Sequence, residues 1–169
     1  ALDKYIEHMI VAQEFAALNH QVIAHEICSR MGWSVVESIF TNHNYLEFLG
    51  KREMIIRKGA VSAKKSEQLV IPLNMRDGTL ICRGKGNSDW NFSAPHGAGR
   101  VLARSIAKKE LALEEFQEVM KGVWTTSVCR GTLDESPMAY KDMGLIVDAI
   151  GETVDIVKRI VPVYNFKAV

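Results

Sequence analysis

Apolar positions recur at helical spacing over the first 31 residues, with polar positions between them. Apolar side chains recur every three or four positions from Leu2 to Ile27, as they do on one face of an α-helix. Gly32 follows, and glycine is favoured just beyond a helix end. The pattern predicts one long amphipathic helix over residues 2–31.

Shorter apolar runs follow and predict strands. The β-branched run VVESIF (35–40) predicts a short strand that runs into the polar loop TNHNY (41–45). Three further runs predict strands separated by charged or Gly-containing turns, namely EMIIRKGAVSA, EQLVIPL and TLICRGKG. Residues 86–99 form a long irregular loop, which Trp90 and Phe92 indicate to be ordered.

The remaining pattern mixes helices and strands. It predicts helices at about 100–109 and 112–121, a strand at 123–128, a helix at 144–159 and a strand at 160–169. The order of the predicted elements is helix, several strands, helices, strand, helix and strand. This order favours a mixed α+β domain over a domain in which strands and helices alternate regularly. We expect residues 1–169 to form a single domain or the C-terminal segment of a longer one.

Composition adds little to this picture. The chain has 169 residues, 47% hydrophobic residues and a net charge of +1, so it carries no global signal for nucleic acid. No apolar run reaches the roughly 20 residues that span a bilayer, and the charged start does not resemble a signal peptide. Three widely spaced cysteines favour a reducing, cytoplasmic setting. The chain starts at Ala1 inside a predicted helix, so we expect it to be a piece of a longer protein.

The stretch APHGAGR (94–100) has the strongest chemical character. Pro95 fixes the chain before His96, and glycines 97 and 99 allow a ligand to approach the backbone. Arg100 is predicted to open a helix, whose first turn offers an anion site, and His96 can attack a bound phosphorus. Most Gly-rich turns before helices bind nothing, so spacing alone leaves both interpretations open.

Two other clusters are less specific. His43, between two asparagines, could bind a metal, but no partner stands at ligand spacing, and an exposed turn is the better interpretation. The basic segments RKGAVSAKK (57–65) and RGKG (83–86) could contact RNA phosphates beside Trp90 and Phe92. Such charges are more often a solvated surface.

Together the motifs resemble one known family. HNY at 43–45, RKGA at 57–60, VIPLNM at 70–75, SAPHGAGR at 93–100, SPMAYKD at 136–142 and PVYNFKA at 162–168 are similar, in order and spacing, to the C-terminal part of the RtcB-type RNA ligases. These are GTP- and manganese-dependent enzymes of tRNA splicing and RNA repair. The resemblance runs from AQEFAALNH (12–20) to Lys167 and implies an RtcB-like α+β fold.

The resemblance also implies roles for individual residues. His96 would attack the α-phosphate of GTP and carry GMP, which passes to an RNA 3′-phosphate before a 5′-hydroxyl attacks; 2′,3′-cyclic phosphates are opened first. His43 would be a manganese ligand, and Arg100 would support the loop or a phosphate. The nucleotide would contact Asn44, Pro72, Leu73, Asn74, Met75, Thr79, Gly97, Ala98, Gly99, Tyr140 and Lys167, the last two at the guanine.

The chain departs from the family at two points. Many members read IPGSMG where this chain reads IPLNMR, so Leu73 and Asn74 replace a small Gly-Ser phosphate contact. The family's other metal ligands, an Asp–Cys pair and two histidines, lie N-terminal to the matched region. We therefore expect this segment alone to be inactive or severely impaired.

The resemblance implies three kinds of partner and no membrane. They are RNA with 3′-phosphate and 5′-hydroxyl ends, an archease-like activator, and the N-terminal remainder of the same protein. Two alternatives remain at this point. One is a binding module for guanine nucleotide or RNA phosphate, and the other is an inactive remnant without the full metal site.

Overall fold

A computed structural model describes residues 2–50 and 53–167. The chain divides into two compact units, Ala1–Lys58 and Gly59–Val169, and each is described by itself. Helices combine with several small antiparallel sheets, which confirms the α+β class. Among the described residues, no helix is long and apolar enough to cross a membrane.

The first unit contains one long helix and one hairpin. Helix α1 covers Leu2–Met31, as predicted, and Gly32 ends it with a left-handed φ of 67°. Strands β1 (Asn44–Phe48) and β2 (Met54–Lys58) pair antiparallel.

The strand predicted at 35–40 does not form. Residues 33–43 carry neither helix nor strand, and Val36 is 98% exposed. Among the described residues of this unit, strand pairing is recorded only between β1 and β2, and a segment with strand propensity becomes a strand only when its backbone pairs with another.

A three-stranded antiparallel sheet forms the centre of the second unit. Its order is β4–β5–β8, with β4 at Gln68–Pro72, β5 at Thr79–Gly84 and β8 at Val154–Ile160. The first two strands were predicted. The third was predicted as part of a helix over 144–159, and this was wrong.

Helix α4 covers only Met143–Ile150. Asp142 begins it by accepting a hydrogen bond from the backbone of Gly144 at 2.7 Å. The β-branched run after Gly151 then pairs along β5, from Gly84↔Val154 to Thr79↔Ile160. Strand pairing outweighs the helical spacing of its apolar residues.

Short elements complete the second unit. Strand β3 (Ala60–Ser62) pairs with β6 (Ser93–Pro95), so Gly59 divides the run predicted over 53–63. The loop before β6 is ordered, as predicted, and Trp90 Nε1 donates to Glu152 at 2.8 Å. Helices α2 (Arg104–Glu110) and α3 (Leu113–Val119) follow. Strands β7 (Trp124–Thr125) and β9 (Tyr164–Asn165) form a parallel pair.

The last two predicted strands shrink to two residues each. Residues 168 and 169, the end of the second prediction, lie outside the described part of the chain. Between β7 and α4 the chain makes two 3₁₀ turns, at Arg130–Glu135 and Pro137–Ala139. The first turn ends at Glu135, and the second is directly followed by Tyr140, two residues of the candidate site.

Two hydrophobic clusters flank the turn between β4 and β5. Leu73 belongs to the cluster of the three-stranded sheet and α4, which includes Ile71 and Ile150. Met75 belongs to a second cluster around Phe116 of α3. The turn is therefore anchored in both clusters, which fixes its position.

Candidate functional site

A cleft of about 680 Å³ opens in the second unit. It is lined by all the residues of this unit that the sequence singled out for catalysis or nucleotide binding, namely Pro72, Leu73, Asn74, Met75, Thr79, His96, Gly97, Ala98, Gly99, Tyr140 and Lys167. Residues nearly 100 positions apart in the sequence therefore meet at one site.

The turn between β4 and β5 forms one wall. Asn74 Oδ1 accepts the backbone N–H groups of Arg76 and Asp77 at 3.0 and 2.8 Å, and its Nδ2 donates to Asp77 at 2.8 Å. Arg76 pairs with the same carboxylate at 2.9 Å, which holds the pKa of Asp77 below its ordinary value. The side chain of Asn74 thus organises the turn itself.

Leu73 and Met75 line this wall with little side-chain exposure, 3% and 2%. Their side chains fill the two hydrophobic clusters, so a ligand would meet mainly their backbone. Thr79 begins β5 opposite Pro72. Gly78 between them has φ +81°, and a Cβ there would lie 2.0 Å from the carbonyl oxygen of Ile160.

His96 lies directly after β6, at the end of the β3–β6 pair. Its backbone N–H donates to the carbonyl oxygen of Gly59 at 3.4 Å. A Cβ on Gly59 would lie 3.6 Å from Cε1 and Nδ1 of the imidazole, so the ring packs over that glycine. The side chain is exposed and borders the cleft.

The glycine loop after His96 is seated on the end of β4. The N–H of Ala98 donates to the carbonyl oxygen of Pro72 at 3.0 Å, and a Cβ on Gly97 would come within 3.0 Å of the same oxygen. Gly99 has φ +72°, which favours glycine. The Ala98 N–H is therefore used inside the protein, and the contact between the Ala98 backbone and the nucleotide that the resemblance implies stays a prediction.

Arg100 does not open a helix, and the prediction of a helix N-terminal anion site at this position was wrong. Helix α2 begins only at Arg104, because the backbone of Arg100 forms an isolated antiparallel bridge with Tyr140. Lys141 N–H donates to Gly99 O at 3.1 Å and Val101 N–H to Ala139 O at 2.9 Å. A tertiary contact takes the place of the first helical turn.

The side chain of Arg100 joins an ionic cluster around Glu135. One nitrogen donates to the carbonyl oxygen of Asp134, and Nη2 donates to Glu135 at 2.6 Å and to the Tyr140 hydroxyl at 2.8 Å. Arg104 pairs with Asp134 and Glu135, each at 2.8 Å. Arg100 thus supports the loop, one of its two predicted roles, and its donors are directed at protein acceptors.

Tyr140 and Lys167 meet at the other oxygen of Glu135. The Tyr140 hydroxyl donates to Oε2 at 2.9 Å, and Lys167 Nζ lies 3.2 Å from the same atom. Burial, followed by the hydrogen bond to Glu135, raises the pKa of Tyr140 to about 12. Burial opposes ionisation of Glu135, but Tyr140, Lys167 and Arg100 outweigh it and lower its pKa.

Sequence reasoning missed Glu135, Arg104 and Asn165, which also line the cleft. Glu135 directly precedes the SPMAYKD motif, and an acidic residue beside that motif was the available signal. Among the residues that the structure describes, none forms a hydrogen bond with the buried Oδ1 of Asn165. Asn165 lies within the PVYNFKA motif (162–168), but the sequence analysis assigned it no role.

His43 and Asn44 lie in the first unit, where both are exposed. Asn44 begins β1, and its carbonyl oxygen accepts a hydrogen bond from Gln13 of α1 at 3.1 Å. Arg57, predicted as part of a basic surface, is instead 2% exposed and paired with Glu47 and Tyr45.

The other basic residues of the segments 57–65 and 83–86 are exposed, and these two segments lie next to each other. Gly86 N–H donates to Ala63 O at 3.0 Å and Ser66 N–H to Gly84 O at 2.8 Å. This brings Lys64 and Lys65 beside the segment 83–86. Lys85 pairs with Asp155 at 3.3 Å, so part of this charge is compensated.

Residues 2–50 and 53–167 contain no group of three or more His, Cys, Asp or Glu side chains placed to hold a metal ion. A manganese centre does not fit these residues alone, and His43 would need ligands from outside them.

Comparison with known proteins gives consistent matches to one family. The family model described as tRNA-splicing ligase RtcB matches residues 1–168. The RNA-splicing ligase RtcB of Escherichia coli K12 is 31% identical, covering 92% of this chain and 41% of that protein. The tRNA-splicing ligases RtcB of Aeropyrum pernix and Pyrobaculum aerophilum are 30% and 28% identical, covering 82% and 87% of this chain and 36% and 38% of those proteins. The chain thus spans about two fifths of the length of these relatives.

Proposed function

Since the chain belongs to the RtcB family of tRNA-splicing ligases, we propose that it forms the part of a GTP-dependent RNA ligase that carries the nucleophilic histidine. The whole protein would join an RNA 3′-phosphate, or a 2′,3′-cyclic phosphate after its opening, to a 5′-hydroxyl in tRNA splicing or RNA repair. One observation carries the proposal: the exposed imidazole of His96 borders a cleft that also presents Tyr140 and Lys167.

His96 would act as the nucleophile in the first step. A neutral imidazole nitrogen attacks the α-phosphorus of GTP, a P–N bond forms, and the bond from that phosphorus to the β-phosphate oxygen breaks, releasing pyrophosphate. The 3′-phosphate of the RNA then attacks the same phosphorus and frees His96. Finally the 5′-hydroxyl attacks the activated RNA phosphate, gives up its proton and expels GMP.

The loop around His96 supports this assignment. Gly97 and Gly99 have no side chain to keep a phosphate from the backbone, whose N–H groups are natural oxyanion donors. The loop is held by the Ala98–Pro72 hydrogen bond of 3.0 Å, so these donors are fixed before the ligand arrives. Such preorganisation lowers the cost of stabilising charge that develops on the phosphoryl oxygens.

Lys167 and Tyr140 would face the guanine. The Tyr140 hydroxyl is engaged by Glu135 and Arg100, so the residue would offer mainly its ring to the base. Lys167 would donate to the 6-oxo group. Asn44 would contact the nucleotide, and His43 would bind manganese together with ligands from the N-terminal remainder. Bound manganese would polarise the phosphates.

The setting proposed for the whole protein is cytoplasmic. Its partners would be RNA with 3′-phosphate and 5′-hydroxyl ends and an archease-like activator. A second candidate function is guanine-nucleotide binding without chemistry. It is favoured by a cleft lined by residues of the second unit, whereas the described residues lack a three-ligand metal group.

An intact-mass measurement tests the proposal. The chain, alone and together with its N-terminal remainder, is incubated with GTP and manganese at pH 8, where a phosphoramidate survives. We expect a gain of one GMP in the longer protein and its loss in His96→Ala. His25→Ala, which changes an exposed histidine of α1, is the matched control and should keep the adduct.

The outcomes separate the candidates. An adduct that persists in His96→Ala would overturn the nucleophile. Saturable binding of GTP without an adduct in the longer protein would favour the binding module. Absence of both would leave an inactive remnant.

A further inference from the structure

Trp90 is a large aromatic residue that the fold holds in contact with solvent. It ends the 3₁₀ turn Ser88–Trp90 and is 53% exposed. Its indole Nε1 donates to the Glu152 carboxylate at 2.8 Å. A tryptophan N–H usually finds its partner when the ring is buried. Here the N–H is paired while the ring stays accessible, so the hydrogen bond fixes the position of the ring without covering it.

The loop around Trp90 maintains this position. Asn87 begins the turn, where its Oδ1 accepts a backbone N–H at 3.0 Å and its Nδ2 donates to the carbonyl oxygen of Glu152 at 3.2 Å. The backbone then passes through two non-glycine residues with left-handed φ, Asn91 at 49° and Phe92 at 51°. Such a conformation costs free energy and persists only where the surrounding structure fixes it, and it is common at ligand-binding sites.

Basic residues adjoin this loop. Gly86 directly precedes Asn87, and a Cβ on Gly86 would lie 2.8 Å from the backbone nitrogen of Lys65. Lys65 therefore lies against the start of the loop. Lys65 and Arg83 are exposed, and neither forms an ion pair with another residue of the ranges 2–50 and 53–167. Cations beside an exposed aromatic ring are typical of sites that bind single-stranded nucleic acid.

The same loop leads directly to the proposed nucleophile. It is followed by β6 (Ser93–Pro95) and then by His96. Three residues of strand span about 10 Å, and a stacked nucleic-acid strand rises about 3.4 Å per nucleotide. Trp90 itself does not line the cleft, so a ligand that reaches both residues must extend beyond the nucleotide site.

We propose that Trp90 is a stacking platform for single-stranded RNA, holding a base roughly three nucleotides from the end that reacts at His96. Lys65 contacts the backbone phosphates of the same strand. The inference rests on the proposed function and adds to it a contact with RNA outside the cleft. Because every base has a π-face, this contact adds affinity for the strand without selecting its sequence.

Titration calorimetry measures the affinity of the chain for an oligoadenylate octanucleotide that carries a 5′-hydroxyl and a 3′-phosphate. Trp90→Leu keeps an apolar side chain and removes the ring, so we expect the affinity to fall about tenfold. Trp124→Leu is the matched control, because Trp124 is 80% exposed in the same unit, and it should keep the wild-type affinity. A dinucleotide with the same ends is too short to reach Trp90 and should bind wild type and Trp90→Leu equally.

Variants of Glu152 show whether the ring has to be held. Glu152→Ala removes the acceptor of the indole N–H and should lower the affinity about threefold. Glu152→Gln removes the same charge but keeps an acceptor, so it should bind more tightly than Glu152→Ala. In the Trp90→Leu background, Glu152→Ala and Glu152→Gln should bind equally.

Lys65→Gln tests the phosphate contact. It should lower the affinity about threefold and reduce the salt dependence of binding by about one counterion. Lys109→Gln, an exposed change on α2, should alter neither quantity. An unchanged salt dependence in Lys65→Gln would remove this residue from the proposed contact.

The outcomes separate this inference from the proposed function. Equal octanucleotide affinities of wild type and Trp90→Leu, or an equal loss in Trp124→Leu, would overturn the stacking platform. A wild type that binds no octanucleotide would also overturn it and would leave Trp90 as a contact for a protein. GMP attachment to His96 in the longer protein tests the proposed function and should be unchanged in Trp90→Leu, so failure of one proposal is distinguishable from failure of the other.

Discussion

The guanidinium of Arg100 lies over the ring of Tyr140, with Cζ 4.6 Å from the ring centroid, and donates to the hydroxyl of the same tyrosine at 2.8 Å. The backbones of the two residues also form an antiparallel bridge. Arg100 ends the loop that begins at His96, and Tyr140 directly follows the second 3₁₀ turn. This pair therefore ties the loop to the wall that carries the acidic cluster.

Replacing Arg100 should destabilise the second unit. In Arg100→Gln, Glu135, whose side chain is 15% exposed, loses its closest charged partner, so we expect the free energy of unfolding to fall by about 2–4 kcal/mol in urea denaturation. Lys121→Gln is the matched control, because Lys121 and its partner Glu118 are 73% and 67% exposed. Its effect should stay below about 1 kcal/mol. Equal losses would show that the Arg100 cluster contributes no more than a surface pair.

Gly78 should not tolerate a side chain. A Cβ would lie 2.0 Å from Ile160 O and 2.9 Å from Pro162 Cδ, at a φ of +81°, so we expect Gly78→Ala to cost about 2–4 kcal/mol. Gly32→Ala has a similar φ of +67° and no atom within 4 Å, so it should cost only about 1 kcal/mol for backbone strain. Thermal or urea unfolding of both variants compares the two, and similar losses would contradict the clash at Gly78.

Ionisation of Tyr140 should account for part of the decrease in the free energy of unfolding at alkaline pH. Its pKa is raised from 10.0 to about 12, so the fold favours the neutral phenol. This contribution is complete below pH 10 and is lost as the pH rises from 10 to 12. The free energy of unfolding should therefore fall more steeply over that window in wild type than in Tyr140→Phe. Tyr5→Phe, an exposed change on α1, should follow wild type, and parallel curves for all three proteins would refute the prediction.

The cysteines should react at different rates with a thiol reagent. Cys82 is fully buried, and burial raises its pKa to about 11. Hydrogen bonds from Thr132 and the backbone of Gly131 lower the pKa of Cys129. In a Cys28→Ser background, labelling at pH 8 followed by mass mapping should find Cys129 modified well before Cys82, because the thiolate is the reacting species. Modification of Cys82 first would contradict this arrangement.

Local patterns predicted the parts of the fold that local interactions determine. The α1 helix ends at its glycine, and β4 and β5 pair through one short turn, so pattern and structure agree there. Residues 154–159 were mistaken for helix because their apolar spacing suits both structures, and pairing with β5, some 75 residues earlier in the chain, decides between them. Arg100 was mistaken for a helix start because its bridge to Tyr140 spans forty residues.

The candidate site likewise combines residues that a local motif predicts with residues that only the fold brings together. His96 and its glycines stand together in the sequence, so their chemistry could be predicted from one motif. The role of Glu135 could not be predicted in that way, because it depends on Arg100, Tyr140 and Lys167, which only the fold brings to it. The roles predicted for His43 and Asn44 stay predictions, since both residues lie in the first unit.

The glycine loop contacts the end of β4, and a substitution at this contact should affect the position of His96 more than the stability of the fold. A Cβ on Gly97 would lie 3.0 Å from Pro72 O, the oxygen that also accepts the Ala98 N–H at 3.0 Å. Gly97→Ala must therefore push the loop away from β4 by a few tenths of an ångström. Because His96 precedes Gly97 directly, we expect this shift to misplace the imidazole and slow GMP attachment about tenfold or more, while the free energy of unfolding falls by only about 1 kcal/mol.

Gly151→Ala is the matched control, since its nearest atom beyond the chain neighbours is Asp148 O at 4.0 Å. It should leave both the rate of attachment and the stability unchanged. The rate is followed by intact mass in the protein that includes the N-terminal remainder, and stability by urea denaturation. If Gly97→Ala lost stability in proportion to rate, the loop would matter only for folding. A slower reaction at nearly full stability would mean that the seat on Pro72 sets the position of the nucleophile.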